Sequence, residues 1–215
     1  YSSQQRVGKN NNSFSISSLQ TDGIASGSNL RLANNATVMN YTRGSLKNRS
    51  NSFVGKLGPL YLGGLTAEFI IFNEQINSAK RNIVNNYLAA KYNLTAEQNL
   101  FTYNTTHERD VIGIGQEADG NHVESRGSDS IKISNPSALG DGDYLLIGND
   151  GGSFTPSASV GPEAVQRFTK VWRAGVTGTP GNIDLTFYLG STNDFATDPN
   201  DYIILIGNVN GDFNL

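Results

Sequence analysis

The sequence predicts a mostly β protein of two β-sandwich domains, the first carrying one amphipathic helix at its C-terminal end. Three observations lead there. Only 16% of the 215 residues are charged and 37% are hydrophobic, the balance being rich in Gly, Asn and Ser. Such a composition suits many short strands joined by turns. Residues 108 to 206 read as short apolar or alternating runs punctuated by Gly and Asn. A single stretch, Leu60 to Leu94, changes period from strand to helix.

That stretch organises the chain. Glu68 to Phe72 (EFIIF) is apolar, β-branched and aromatic, and predicts a strand at least half buried. Asn73 to Gln75 breaks it. Ile83, Val84, Tyr87, Leu88 and Tyr92 then fall on one stripe of a 3.6-residue helix. Asn77 or Ser78 can cap its start, and Asn93 can end it in the left-handed region. Lys80, Arg81, Asn85 and Asn86 are expected on the water side.

The first 59 residues offer weaker signals. Ser13 to Ser17, Asn29 to Leu32, Val38 to Thr42 and Ser52 to Val54 are candidate strands between glycines. Thr95 to Thr106 reads as a linker or a first edge strand, with a domain boundary near residue 100. Beyond it, Asp143 to Ile147 is a continuous apolar run and Phe168 to Arg173 holds the single tryptophan, Trp172. Ile183, Leu185, Phe187 and Leu189 alternate with polar residues or tyrosine, as a half-buried strand does. Tyr202 to Ile206 (YIILI) is apolar on both faces and predicts a central strand. Asn210-Gly211 signals a tight turn. Short strands at this spacing imply a sandwich.

Two resemblances sharpen the expectation. Gly63-Gly64, Ala67 to Phe72, and Asn86-Tyr87-Leu88-Ala89-Ala90-Lys91-Tyr92 resemble the C-terminal end of bacterial laminin-G-like, concanavalin A-type jelly-roll domains. That resemblance implies an incomplete jelly roll over residues 1–100. Asp110 to Gly115, Tyr144 to Gly151, Arg167 with Val171-Trp172-Arg173, and Asp201 to Ile206 with Gly211-Asp212-Phe213 then follow in order. They are similar to a domain of large secreted and surface proteins of Bacteroidota that often follows a laminin-G-like domain. The sequence departs from that pattern at Gln116 and at Gly207-Asn208. This second resemblance implies an Ig-like β-sandwich over residues 101–215, truncated at its C-terminus. Together they imply export by the type IX machinery and an extracellular or outer-membrane-attached location. The abrupt first and last residues read as a piece of a longer protein.

Charge and composition exclude some functions. The net charge is −3 without a Lys/Arg run, so nucleic acid is not an expected partner. No run of about 20 apolar residues occurs, so no membrane span is expected in this chain. Cysteine is absent, which excludes disulfides and Cys-ligated metal.

Candidate chemistry is sparse, and no catalytic residue is assigned. Glu68 stands alone on its segment, without the E-x-D-x-x-E run of retaining glucanases, and is expected to face solvent or cap the helix. His107 and His122 lack partners at metal or triad spacing and are expected at the surface. Gly113-Ile114-Gly115 is half of a dinucleotide loop and is expected to be a turn. Calcium is the one cofactor the motifs raise. Asn208-Val209-Asn210-Gly211-Asp212 opens like a Ca²⁺ loop but lacks the later Gly and Glu, so a hairpin is favoured. Asp141-Gly142-Asp143 and Asn149-Asp150-Gly151 read as turns before ligands. Ser130, in Asp129-Ser130-Ile131, matches the short Bacteroidota O-glycosylation pattern. Tyr41 and Tyr61 could stack on sugars, whereas Trp172 is expected in the core.

The expectation is therefore a non-enzymatic segment of a secreted or cell-surface adhesin, displaying loops that bind a glycan or a surface protein. An accessory module of a secreted hydrolase and a structural spacer are the alternatives.

Overall fold

The computed structural model describes residues 15–21, 29–34, 37–42, 56–57, 60–61, 67–72, 74–128, 131–154, 168–188, 204 and 206–207. Within them the protein is mostly β, built from antiparallel sheets and one helix. β1 (Ser17–Thr21), β2 (Asn29–Asn34) and β3 (Thr37–Thr42) form a three-stranded meander. Two of its strands lie where Asn29–Leu32 and Val38–Thr42 were expected. β4 (Lys56–Leu57) and β5 (Leu60–Tyr61) make a short ladder. The expected strand at Ser52–Val54 lies outside the described residues.

The helix, α1 (Ser78–Tyr92), begins and ends as its sequence dictates. The Asn77 side chain accepts the Lys80 N–H at 2.8 Å. Asn93 turns left-handed at φ 51°, and the Leu94 N–H closes on the Ala89 carbonyl at 2.8 Å. Its buried face corrects the expectation. Asn85 and Asn86 are buried, together with Ala79, Asn82, Ile83, Ala89 and Ala90. Hydrophobicity alone hides this face because its contact residues are small or amide-bearing. Alanines permit close approach, and the Asn82 and Asn86 amides are consumed by hydrogen bonds. Asn86 donates to the Asn82 and Gln98 carbonyls and accepts the N–H groups of Leu100 and Phe101.

After α1 come β6 (Arg109–Glu117), β7 (Gly120–His122), β8 (Glu124–Arg126), β9 (Ile131–Ser134), β10 (Tyr144–Asn149), β11 (Trp172–Thr177) and β12 (Asp184–Phe187). They form a four-stranded sheet, β11-β10-β6-β7, and a three-stranded one, β12-β9-β8. The two sheets share a core. Ile112, Ile114, Leu145 and Ile147 from the first meet Ile131 and Ile133 from the second. The other face of the first sheet presents Val111, Tyr144 and Leu146 to Ala79, Ile83 and Ala90 of α1. Side chains alternate across a strand, so β6 and β10 supply both cores at once. This is why Tyr144–Ile147, within the Asp143–Ile147 run, is apolar without a break. On its other side α1 packs Ala89 with Ile16, which precedes β1, and Ala96.

Three expectations are overturned here. Gly113-Ile114-Gly115 is no turn but the middle of β6. A Cβ on Gly113 would press Leu146 at 3.0 Å and Ile83 at 3.2 Å, and one on Gly115 would fall within the Tyr144 ring. The glycines make room for the helix and the tyrosine. Glu68–Phe72 forms no strand, and Phe69 to Phe72 are exposed. β-propensity needs a partner ladder, which this segment lacks among the described residues. Ile204 and Ile206, from the expected central strand Tyr202–Ile206, also lie outside any strand and are exposed.

Thr95–Thr106 contributes to the packing. Ala96 and Phe101 are buried, with Phe101 in the helix-side core. Among the described residues, no helix is long and apolar enough to cross a membrane.

Candidate functional site

The polar cluster with the most exposed apolar surroundings lies where Glu68 meets α1. Tyr87 and Lys91 sit one turn apart on α1 and share a face, and Tyr92 reaches the same Glu68 carboxylate. The Glu68 carboxylate accepts the Lys91 ammonium at 3.0 Å, the Tyr92 hydroxyl at 3.0 Å and the Tyr87 hydroxyl at 3.2 Å. Lys91 also donates to the Tyr87 oxygen at 2.7 Å and lies 5.1 Å from the centre of the Tyr87 ring and 5.6 Å from that of Tyr92. Burial alone would raise the Glu68 carboxyl, but Lys91 and the two hydroxyls outweigh it and hold it low. Bonding to Tyr87 and then to Glu68 pushes the ammonium up. Glu68 therefore meets side chains of the last turns of α1, where it was expected to face solvent or cap the helix. Beside it run Phe69, 58% exposed, and Ile71, 75% exposed. The arrangement offers tyrosine rings, a carboxylate and an ammonium next to apolar side chains. These groups can stack on, accept from and donate to a bound molecule.

A second polar group lies beneath α1. Asn82 donates to the Tyr144 oxygen at 2.8 Å, and the Tyr144 hydroxyl donates to Glu117 at 2.6 Å. Burial and this carboxylate push the Tyr144 phenol up. The network holds the helix to β10 and β6 and is covered by protein. A third group faces outward on the smaller sheet. Arg126 stacks 4.0 Å from the centre of the Tyr188 ring, and Lys132 pairs with Glu124 at 2.8 Å.

The residues singled out in the sequence are dispersed. Asp143 accepts the N–H groups of Gly140 and Thr179, and Asp150 those of Gly152 and Val171. Asn149 accepts the Gly151 N–H. These side chains tie turns together, as the turn reading expected. His107 and His122 are half-buried, and burial lowers the pKa of both. Trp172 heads β11 and packs half-buried against Phe154 and Phe187, at 5.6 and 5.5 Å between ring centres. Ser130, Asn208–Asp212 and the side chains of Tyr41 and Tyr61 lie outside the described residues. Among the described residues, no three His, Asp or Glu side chains converge as a metal-holding group.

Sequence reasoning missed the Glu68 cluster, the Asn82–Tyr144–Glu117 chain and the Arg126–Tyr188 stack. The i, i+4 spacing of Tyr87 and Lys91 was the one signal available for the first. Nothing local joins the members of the others.

Comparison with known proteins returns one family. The profile described as Domain of unknown function (DUF8202) matches residues 80–215, from within α1 onward. No curated protein and no solved structure matches the chain.

Proposed function

The chain belongs to the DUF8202 family, and from that premise we propose that it is a non-catalytic segment of a secreted or cell-surface adhesin-like protein. It displays side chains that bind a glycan or a protein. In this reading residues 1–100 are part of a laminin-G-like jelly roll and residues 101–215 an Ig-like sandwich. The parent protein is exported by the type IX machinery and held outside the cell. One observation carries the binding reading. Phe69 to Phe72 are four consecutive exposed apolar residues, set beside the Glu68–Lys91–Tyr92 cluster. An apolar patch rimmed by hydrogen-bonding groups marks an interaction surface on an otherwise polar protein. Tyrosine rings and an ion-paired carboxylate suit the apolar faces of sugar rings and sugar hydroxyls.

The test is a glycan array probed with the chain in Ca²⁺ and again in EDTA, alongside Phe69→Ser and Ile71→Ser. Both side chains are exposed, so the variants are expected to stay folded. Binding that weakens in the variants supports the proposal. Silence of a chain shown folded by circular dichroism, in both buffers, favours a spacer. Binding that is lost in EDTA but untouched by the variants moves the site to loop carboxylates.

A further inference from the structure

The outer face of the smaller sheet sorts its charges into rows. Ile131 and Ile133 of β9 point into the shared core, so Lys132 between them points outward. Arg126 of β8 and Thr186 of β12 stand directly opposite Lys132. Glu124 and Asp184 stand opposite Ser134. One row therefore reads Arg126–Lys132–Thr186. The next, about 7 Å along the strands, reads Glu124–Ser134–Asp184. Tyr188 continues the face beyond Thr186, and Arg126 lies 4.0 Å from the centre of its ring. Arg126, Glu124, Asp184, Thr186 and Tyr188 are all exposed.

Lys132 pairs with Glu124 at 2.8 Å, and Asp184 accepts an N–H of Asn135 at 2.8 Å. Arg126 differs. The Tyr188 ring stacks on its guanidinium, and no carboxylate among the described residues meets its N–H groups. Stacking holds the guanidinium plane and leaves its N–H edge available. Such an edge forks onto a carboxylate or a sulfate. The neighbouring row decides what else can lie there. A phosphate backbone carries charge at every unit and would press on Glu124 and Asp184. A sugar chain with its acid group on alternate units puts a neutral sugar over that row, and its hydroxyls donate to the carboxylates. We infer that the outer face of β8-β9-β12 binds an acidic polysaccharide, with Arg126 on the acid group of one sugar and Glu124 and Asp184 on hydroxyls of the next. This site shares no residue with the Glu68–Phe72 surface and stands independently of it.

The test titrates the full chain at low salt, by calorimetry, with four probes. Hyaluronate carries a carboxylate on alternate sugars, chondroitin sulfate adds a sulfate, dextran is neutral, and polyphosphate is charged at every unit. The wild type is expected to bind the two acidic polysaccharides more tightly than dextran or polyphosphate. Equal affinity for both assigns the carboxylate to Arg126, and a gain with chondroitin sulfate assigns the sulfate. Arg126→Gln is expected to weaken binding at least about tenfold, and Arg126→Lys nearly as much, because the planar fork is lost. Glu124→Gln releases Lys132 and is expected to admit polyphosphate. Phe69→Ser is expected to change nothing. Arg126 and Glu124 are exposed, and an unchanged urea midpoint shows that their variants fold. No binding of either acidic polysaccharide would overturn the inference, as would equal binding by wild type and Arg126→Gln. Polyphosphate bound as tightly as the polysaccharides would mark a general polyanion surface and overturn it too. Binding lost in Phe69→Ser but kept in Arg126→Gln would return the ligand to the Glu68 site, against this inference.

Discussion

The Glu68 carboxylate holds the Lys91 ammonium at 3.0 Å across a separation of 23 residues. With the Tyr87 and Tyr92 hydroxyls, this pair fastens the exposed Phe69–Phe72 segment to α1. Both partners are partly exposed, so the bond positions more than it stabilises. Glu68→Gln keeps the shape and removes the charge. Its expected cost to global stability is about 0 to 1 kcal/mol in urea unfolding. Exchange or proteolysis at residues 69–72 should rise while α1 stays protected. A loss several times larger would mean that the cluster belongs to the cooperative core.

Tyr144 behaves differently because its hydroxyl sits between Asn82 and Glu117 under the helix. Tyr144→Phe leaves buried Asn82 and half-buried Glu117 short of a partner and is expected to cost about 1–3 kcal/mol. A double-mutant cycle with Asn82→Ala would show a coupling of the same sign. An additive cycle would indicate that the network contributes nothing as a unit.

Gly115 faces the Tyr144 ring across the strand pair. Gly115→Ala must push that ring from its place, with an expected loss of about 1–3 kcal/mol. Thermal unfolding checks it. A neutral alanine would show that the helix-side core is loosely packed.

The two histidines set an acid limit. Burial, then Lys80, lowers His122, and burial lowers His107. Both are neutral in the folded state where the unfolded chain already takes up a proton. Their contribution is thus fully present above the unfolded pKa of about 6.5 and is lost as pH falls below it. Stability should fall between pH 7 and 5 by at most about 1 kcal/mol per pH unit for each histidine. His122→Asn should flatten the slope, and a wild-type urea midpoint constant over that range would contradict this account.

Trp172 tests the core against the glycan-platform reading. Its ring packs on the shared core of the two sheets, against Phe154 and Phe187. Trp172→Ala is expected to lose about 2–3 kcal/mol, several degrees in melting temperature. Unchanged stability with lost glycan binding would overturn the core assignment.

By itself the sequence determined whatever depends on neighbours in the chain. Asn77 and Asn93 bound the helix because capping is a matter of one side chain and the adjacent backbone. Asp143–Ile147 reads as one continuous apolar run, and β10 (Tyr144–Asn149) is there, buried along its whole length. Tertiary structure alone decided the rest. Gly113 and Gly115 look like turn residues until α1 and Tyr144 are laid over them. Asn86 looks solvated until residues 98–101 close over its amide, and Asn85 is buried beside it. EFIIF looks like a core strand, yet a strand exists only with a partner, and Glu68 found α1 instead. In each case the deciding contact joins residues distant in sequence, where neither period nor propensity carries information.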